Sequence, residues 1–387
     1  MEQFIQALLN LWPNVPRPIP LHQPYLDSAE PFMKACLDSG WVSSAGHWVN
    51  QFEQQLAQRL QVESVVAVNS GTSALHLCYL AVGAQPGCEL LMPALSFVAT
   101  ANAAMYCGAK PHFVEVLEDN MTIDISALEV YLTHITEPRD GVCYNKITQA
   151  PIIGLVVVHA FGHAVDMARA KTCCQRFHLA LIEDAAQALG SLYQGKPLGS
   201  FGDVAALSFN GNKIITTGGG GAVTARSREI LEKIRHLSTT AKITDAFSIA
   251  HDAVGFNYRM PAVNAALGLA QLLNLDELLM KKRQLHDYYQ QHLSAIAELT
   301  VIVEQADYRA NHWLTNVILA PELQINHLSL LEQFNQANIF VRPLWRPLHQ
   351  LPMYHAMPRM PLLITESLSR RVLSLPSSPQ LLDQLLV

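Results

Sequence analysis

The sequence predicts an α/β protein with a large domain, built on a mostly parallel central sheet flanked by helices, and a smaller C-terminal α+β domain. Two observations favour this fold class. From about residue 60, short and continuously apolar segments alternate with helical ones, as in parallel sheets buried on both faces. After about residue 225, long helical segments dominate. We therefore expect an N-terminal arm at 1–20, a large domain at 21–250 and a smaller domain at 251–387.

The predicted elements follow in a regular order. The arm begins with an amphipathic helix over residues 1–12, whose apolar stripe consists of Phe4, Ile5, Leu8, Leu9 and Trp12. Prolines up to Pro20 then predict extended chain, and the arm is either a decoration of the fold or an oligomer contact. Predicted strands lie at 64–68, 89–92, 112–116, 151–158, 179–183, 204–209 and 313–319. Predicted helices lie at 72–82, 96–106, 126–135, 167–177, 228–238, 261–275, 277–297 and 328–338.

The composition excludes several classes of protein. The chain has 387 residues, of which 50% are hydrophobic, so it is not a disordered chain. Lys plus Arg is 26 and Asp plus Glu is 32, and the resulting net charge of −6 gives no basic field for nucleic acid or an anionic membrane. We find no apolar run of the ~18 residues that span a membrane, and no secretory signal. Seven scattered cysteines indicate reduced thiols and a cytoplasmic location.

Lys213 is the first candidate for chemistry. It follows a predicted buried strand and precedes the glycine run 218–221. Burial would disfavour the charged amine and lower its pKa, and an uncharged amine can form a Schiff base with an aldehyde or ketone. Taken alone, a lysine that merely pairs with a carboxylate is the simpler interpretation.

Asp184 and Gln187 follow another predicted strand, at the edge where open α/β sheets bind ligands. A buried carboxylate needs a cationic partner, and a protonated pyridine nitrogen would be one. Gln187 would reach a hydroxyl on the same ring. Capping of a helix by the carboxylate is the alternative.

The segment Asn-Ser-Gly-Thr-Ser at 69–73 opens a predicted helix after a strand. The N–H groups and hydroxyls of Thr72 and Ser73 would bind a phosphate there, although an ordinary capped turn explains the segment equally well. It is neither a P-loop nor a G-x-G-x-x-G fingerprint. Phe97, after another strand, would stack on a flat ring, although core packing is the default for a single Phe.

An amine, a carboxylate, a helix start and an aromatic ring together match the functional groups of pyridoxal 5′-phosphate. In their order, the motifs Asn-Ser-Gly-Thr, Glu-Asp-Ala-Ala-Gln and Ser-Phe-Asn-Gly-Asn-Lys, followed by four glycines, resemble the DegT/StrS-type nucleotide-sugar aminotransferases. These belong to the aspartate aminotransferase superfamily, and the resemblance extends over roughly residues 19–380.

The resemblance implies the pyridoxal phosphate transferase fold (type I) and a homodimer with active sites shared at its interface. Lys213 would form the Schiff base and act as acid and base in a two-stage (ping-pong) transfer. Asp184 would pair with the ring nitrogen, Gln187 would contact the ring hydroxyl and Phe97 would stack on the ring. The phosphate would be held by Gly71, Thr72, Ser73 and Ser208, and by Asn257 reaching across to the partner's site.

Three further stretches, 40–44, 210–215 and 342–349, resemble the branch that acts on UDP-linked 4-keto-6-deoxy-N-acetylhexosamines in legionaminic acid and bacillosamine pathways. That branch would install a 4-amino group from L-glutamate, which leaves as 2-oxoglutarate. Candidate residues for the sugar-nucleotide pocket are Trp41, His312, Trp313 and Arg342, each with a packing or loop role as the alternative. Another nucleotide-linked keto-sugar, GDP- or dTDP-linked or with a 3-keto group, remains open.

Other functions need features that the sequence does not match. The related dehydratases replace the lysine with His, and a non-catalytic member of the fold would lose one of the motifs. A nucleotide-dependent oxidoreductase or ATPase would need a glycine fingerprint. His159 and His163 with Asp166 have metal-ligand spacing, but a third ligand is not evident, so we expect no metal and a supporting role for His159 near Asp184.

Overall fold

The computed structural model describes residues 6, 9–244 and 248–385, and its mixed α/β architecture confirms the predicted fold class. Of the predicted N-terminal stripe, Phe4, Ile5 and Leu8 lie outside the described residues. The strands are β1 (Val65–Val68), β2 (Glu89–Pro93), β3 (Lys110–Val114), β4 (Thr136–Arg139), β5 (Val142–Asn145), β6 (Pro151–Val158), β7 (Ala180–Asp184), β8 (Leu192–Tyr193), β9 (Lys196–Pro197), β10 (Val204–Ser208), β11 (Gly221–Ala225), β12 (Lys242–Thr244), β13 (Ile249–His251), β14 (Leu299–Val301), β15 (Tyr308–Arg309), β16 (Asn316–Leu319), β17 (Arg342–Pro343) and β18 (Val372–Ser374).

The α-helices alternate with these strands in the first part of the chain and are longer afterwards. They are α1 (Glu30–Asp38), α2 (His47–Leu60), α3 (Gly71–Ala81), α4 (Ala99–Tyr106), α5 (Ile125–Ile135), α6 (Met167–Phe177), α7 (Arg228–Ser238), α8 (Ala262–Leu273), α9 (Leu275–Leu293), α10 (His327–Gln336), α11 (Leu363–Leu368) and α12 (Pro379–Leu385). Within the described ranges, no helix is both long and apolar enough to cross a membrane.

The central sheet has the strand order β1-β11-β10-β7-β6-β2-β3, and the β4–β5 hairpin joins it through β5 and β6. The run from β10 to β3 is parallel, whereas β11 lies antiparallel between β1 and β10. Every residue of β1 and β2 is buried, as expected for strands covered by helices on both faces. The carboxyl ends of the parallel strands therefore meet along one edge.

A second, antiparallel sheet of order β14-β16-β18-β17 lies in the C-terminal part and has its own apolar core. The N-terminal arm contributes Leu11, Trp12, Val15 and Ile19 to this core. Trp12 is fully buried, and its indole N–H donates to the Tyr289 hydroxyl at 3.1 Å. Residues 11–19 thus pack on their own chain, which favours the fold-decoration interpretation for them. The predicted domain boundary near residue 250 stays a prediction.

Several elements were not predicted. Helices α1 and α2 are among them. In α2, Phe52, Leu56 and Leu60 recur every four residues, as the apolar residues on one face of a helix do. Strand β11 was not predicted because its first residue, Gly221, is the last of four glycines, and a glycine run is typical of a flexible turn. A Cβ at Gly221 would lie 2.6 Å from the Ser70 carbonyl oxygen, so the first residue of this strand has to be a glycine. The strand predicted at 313–319 begins at Asn316 instead.

Candidate active site

A cavity of about 360 Å³ opens at the carboxyl ends of the central strands. Its walls come from the segments that follow β1, β2, β7 and β10, together with two tryptophans from the C-terminal part. The predicted residues that line it are Gly71, Thr72, Phe97, Asp184, Gln187, Ser208, Lys213 and Trp313. A larger cavity of about 550 Å³ lies beside α9 but contains neither the lysine nor the aspartate. The smaller cavity is therefore the candidate site.

Lys213 lies on a short turn after β10, where its amide donates to the Asn210 carbonyl at 3.0 Å. Its Nζ atom is 4.2 Å from the centroid of the Trp313 ring. Burial lowers the pKa of this amine to about 8, and the attraction of Asp184 opposes that shift. The amine therefore gives up its proton more readily than a surface lysine does, while a carboxylate remains nearby.

Asp184 ends β7 and is 5% exposed. Burial raises the pKa of its carboxyl group, and the hydrogen bonds that it accepts oppose this change. Oδ2 accepts from the Thr100 hydroxyl at 2.8 Å, and Oδ1 accepts from the Ala186 amide at 3.2 Å. Thr100 in turn accepts from the Ser96 hydroxyl at 2.6 Å, which leaves its own proton directed to Asp184. A buried carboxylate fixed in this way is suited to a cationic ring atom.

Helix α3 starts at the cavity and offers unused N–H groups. The Ser70 hydroxyl oxygen caps the helix by accepting from the Ser73 amide at 3.0 Å. The amides of Gly71 and Thr72 belong to the first turn, so they have no acceptor within the helix. These amides and the positive end of the helix dipole suit an anion such as a phosphate.

Gly71 permits a close approach between this turn and the end of β10. A Cβ on Gly71 would lie 2.7 Å from the Ser208 Cβ, closer than real side chains come. Ser208 therefore reaches the same corner of the cavity as Thr72. The predicted phosphate residue Ser73 is placed differently: it does not line the cavity, and its hydroxyl donates to the Asn69 side chain at 2.7 Å.

Gln187 and Phe97 both line the cavity, as predicted. The side-chain oxygen of Gln187 accepts from the Phe161 amide at 2.6 Å, so its NH₂ group is the part available to a ligand oxygen. Phe97 is 54% exposed, although it is a large apolar residue. A side chain that is exposed to this extent is not part of the core, and its aromatic face is available to a ligand.

Four predicted residues lie away from the cavity of the single chain. Trp41 is 57% exposed near α1, and Arg342 is exposed on β17. His312 is only 2% exposed, and its ring is stacked on His286, with 3.9 Å between centroids; its sugar contact stays a prediction. Asn257 is exposed, and its carbonyl accepts from Asn69; its contact with a partner's phosphate site stays a prediction.

The histidine pair with metal-ligand spacing has other bonds. The Val165 amide donates to Nδ1 of His159, so Nε2 carries the proton and donates to Glu183 at 3.0 Å. His163 shares a hydrogen bond with the Tyr308 hydroxyl at 3.3 Å. Throughout the described part of the chain, no three His, Cys, Asp or Glu residues are arranged to hold a metal ion. The backbone amide of His159 donates to the Asp184 carbonyl, as a supporting residue would.

Sequence reasoning missed several residues that line the cavity: Ser70, Ser96, Thr100, Asn210, Asn212, Gly219, Gly220 and Trp345. Trp345 lies 4.8 Å from Phe161 in a nearly parallel stack, and Phe161 also stacks on Trp313 at 6.0 Å. Ser96 and Thr100 are four residues apart, at the strand end that carries Phe97. That polar pair beside Phe97 was one available signal. The other was membership of the motifs quoted above, which contain Ser70, Asn210, Asn212, Gly219 and Gly220.

Comparison with known proteins identifies the family of the chain. The model of the DegT/DnrJ/EryC1/StrS aminotransferase family matches residues 28–385. A GDP-perosamine synthase of Vibrio cholerae is 35% identical over 367 residues, which cover 94% of this chain and 95% of that protein. A UDP-4-amino-4,6-dideoxy-N-acetyl-beta-L-altrosamine transaminase of Campylobacter jejuni is 32% identical, with 81% and 80% covered.

Solved structures have the same fold. The aminotransferase TlmJ of Streptoalloteichus hindustanus superposes with a TM-score of 0.84 at 25% identity, over 95% of this chain and 97% of that one. PseC of Helicobacter pylori, an aminotransferase in pseudoaminic acid biosynthesis, has a TM-score of 0.86 over 96% and 98%, and at 24% identity it supports the fold alone. The chain therefore belongs to the DegT/DnrJ/EryC1/StrS aminotransferase family, as its motifs indicated, and is a pyridoxal phosphate-dependent transaminase.

Proposed function

We propose that the protein transfers an amino group from L-glutamate to C4 of a nucleotide-linked 4-keto-6-deoxyhexose. The observation that carries this proposal is the pairing of Lys213 and Asp184 in one cavity, with a helix start at its edge. An amine, a buried carboxylate and free N–H groups are what an aldehyde, a ring nitrogen and a phosphate on one molecule require.

The residues present fit pyridoxal 5′-phosphate. The amides of Gly71 and Thr72 would hold the phosphate together with the Ser208 hydroxyl. Asp184 would pair with the ring nitrogen, and its bond from Thr100 favours the ionised carboxylate, against the effect of burial. When bound, the cofactor supplies an electron-withdrawing ring that stabilises negative charge on the carbon that loses its proton.

Two further contacts would orient the ring. Gln187 has its NH₂ group free for the ring hydroxyl, because its oxygen is engaged by the Phe161 amide. Phe97 offers an exposed aromatic face at the mouth of the cavity. These assignments follow the sequence prediction and are supported by the position of both residues along the cavity wall.

Lys213 has two roles in the proposed reaction. Its amine would hold the cofactor through the aldehyde before the amino donor arrives. Once displaced, the same amine would take a proton from the substrate carbon and return it to the cofactor side. A pKa of about 8 suits both transfers, because the amine exchanges a proton near neutral pH.

The nucleotide is the finer part of the proposal. The motifs resemble those of the UDP-N-acetylhexosamine branch, and the Campylobacter jejuni relative is named for a UDP-linked 4-amino-4,6-dideoxy sugar. The more similar Vibrio cholerae relative is named for a GDP-linked sugar. A UDP-linked 4-keto-6-deoxy-N-acetylhexosamine is thus the first candidate, and a GDP-linked 4-keto-6-deoxyhexose is the second.

Shared active sites in a homodimer and a cytoplasmic location complete the proposal. Two large apolar side chains are exposed in this part of the molecule. Val254, three residues before Asn257, is 86% exposed, and Trp41, which precedes the residues bonded to the start of α8, is 57% exposed. A second copy of the chain would cover such residues and bring Asn257 to the neighbouring phosphate site. All seven cysteines are free and buried, which supports a reducing compartment.

The test is to incubate the purified protein with L-glutamate and each of four sugars: UDP- and GDP-linked 4-keto-6-deoxyhexoses, with and without the N-acetyl group. Mass spectrometry and NMR would identify the aminated carbon. We expect amination at C4 of one member, and none with Lys213→Ala, which should keep its fold by circular dichroism. Amination by the Lys213→Ala variant, or no product with any nucleotide-linked keto-sugar, would contradict the proposal.

A further inference from the structure

Hydrogen bonds of the indole and of the backbone, with one stacked ring, hold Trp313 in place. Its indole N–H donates to the Asn212 carbonyl at 2.6 Å, directly before Lys213 in the chain. Its backbone amide donates to the Asn311 side chain at 2.9 Å, and its carbonyl accepts from the buried amine of Lys282 at 2.7 Å. Its ring lies almost parallel to that of Phe161, at 14°. Such a ring has little freedom to adapt to a ligand.

Asn311 joins the tryptophan to the segment that carries the aspartate. Its side-chain NH₂ group donates to the carbonyls of Gln187 and Leu189, each at 2.9 Å. A Cβ on Gly162 would lie 1.9 Å from the Asn311 oxygen, so this arrangement has no room for any other residue there. The position of the Trp313 ring is therefore set relative to the turn after Asp184 and to the turn that holds Lys213.

The Lys213 amine lies on the face of this ring, 4.2 Å from its centroid. The negative face of an indole attracts an ammonium group, and more strongly so away from water. Asp184 is the anion that attracts the same amine. Among the residues that the structure describes, His22 also interacts with this amine. Both of its ring nitrogens are buried without a hydrogen-bond partner, and burial, with the charges of Lys282 and Lys213, lowers the pKa of that imidazole well below its ordinary value.

We propose that Trp313 is a positioning residue whose indole face holds the Lys213 amine inside the cavity whenever that amine is not bonded to the cofactor. This inference rests on the proposed pyridoxal phosphate chemistry but not on the identity of the sugar. It replaces the expectation that Trp313 recognises the sugar nucleotide. A lysine with four rotatable side-chain bonds would otherwise sample many positions between its release and its return. Holding it preserves the geometry that proton transfer requires in both half-reactions.

The first test measures the lysine directly, in protein freed of cofactor and in protein loaded with pyridoxamine phosphate, which leaves the amine unbonded. The titration of ε-¹³C-labelled lysine is followed by NMR, and Lys213→Arg identifies the Lys213 signal. Loss of the ring face should lower the pKa of Lys213 by about one unit in Trp313→Leu and by less in Trp313→Phe. Trp345→Phe is the matched control, because Trp345 lines the same cavity and stacks on the same Phe161.

The second test separates positioning from sugar recognition. The half-reaction with L-glutamate contains no sugar, so a residue that only binds the sugar nucleotide cannot affect it. We expect Trp313→Leu to slow this half-reaction by about tenfold or more, and Trp313→Phe, which keeps an aromatic face, to slow it by less. Folding is checked by circular dichroism, and Trp313→Phe keeps an aromatic ring should Trp313→Leu fail to fold.

Support requires both results. An unchanged pKa of Lys213 in Trp313→Phe and Trp313→Leu overturns the proposal, and so does an unchanged glutamate half-reaction. A change confined to KM for the keto-sugar would also overturn it, and would support the earlier prediction that Trp313 binds the sugar nucleotide. The pKa of Lys213 and the glutamate half-reaction are both measured without a sugar, so failure of the proposal in these two tests is distinguishable from failure of the proposed substrate.

Discussion

The hydroxyl of Thr100 offers a sharp test of the role of Asp184. It donates to Oδ2 of the carboxylate at 2.8 Å, inside the protein and beside the proposed ring nitrogen. Valine has nearly the same shape as threonine and has no hydroxyl. Thr100→Val therefore removes one of the groups that hold the pKa of Asp184 down against burial, while the Ala186 amide remains.

The size of the effect follows from that bond. A hydrogen bond to a charged group is worth about 1.5–3 kcal/mol, and one pKa unit corresponds to about 1.36 kcal/mol. Loss of the Thr100 hydroxyl should thus raise the pKa of Asp184 by about 1–2 units. Only the ionised carboxylate pairs with a protonated ring nitrogen. As the pH is lowered, the variant should therefore lose activity at a higher pH than the wild type does.

The assay is the rate of the L-glutamate half-reaction as a function of pH, followed by the absorbance of the bound cofactor. The acid limb of the profile should move upward by about 1–2 pH units in Thr100→Val. Ser96→Ala is the control, because Ser96 donates to Thr100 and does not contact Asp184, so its shift should be smaller. A folded Thr100→Val enzyme with the wild-type acid limb would refute the reasoning.

Three further changes probe other parts of the structure. Asp184→Asn should slow the glutamate half-reaction by ~10²–10³-fold while cofactor titration still shows binding through the phosphate; near-normal rates would mean that another group charges the ring. Gly71→Ala should weaken cofactor binding by about tenfold, because its Cβ would lie 2.7 Å from the Ser208 Cβ, and equal affinity in a fluorescence titration would count against the phosphate corner. Burial lowers the pKa of His163 and His286 to about 4, from an ordinary 6.5, so the unfolded chain binds more protons between these values. The free energy of unfolding should therefore fall as pH drops from about 6.5 towards 4. In denaturant titrations, the His286→Phe variant should lose about 2 kcal/mol less over this range than the wild type. An identical pH dependence in the two proteins would contradict this.

Lys213 and Asp184 could be predicted because each follows an apolar strand, and a parallel sheet brings such strand ends to one edge. Thr100 and Trp345 could not be predicted in the same way. Thr100 lies in the first turn of the alanine-rich helix α4, and Trp345 lies in a proline-rich segment. Their relation to the site exists only after distant segments pack together.

His312 and Trp313 are adjacent in the sequence, and both were predicted as candidates for the sugar-nucleotide pocket, with a packing role as the alternative. The structure places their side chains in different surroundings. His312 has a left-handed backbone with φ of 48°, which few non-glycine residues adopt. Its ring stacks on His286, whereas the next side chain meets Lys213. The left-handed backbone at His312 therefore directs its ring to His286, while the next side chain, that of Trp313, lines the candidate site.

The arm and the second core have a consequence for biosynthesis. Trp12 leaves the ribosome early, yet Tyr289, which receives its hydrogen bond, is translated 277 positions later. Leu381 of the same core is translated later still. This second core therefore cannot assemble until almost the whole polypeptide has been made, and during translation residues 11–19 lack the surface that buries them in the folded protein.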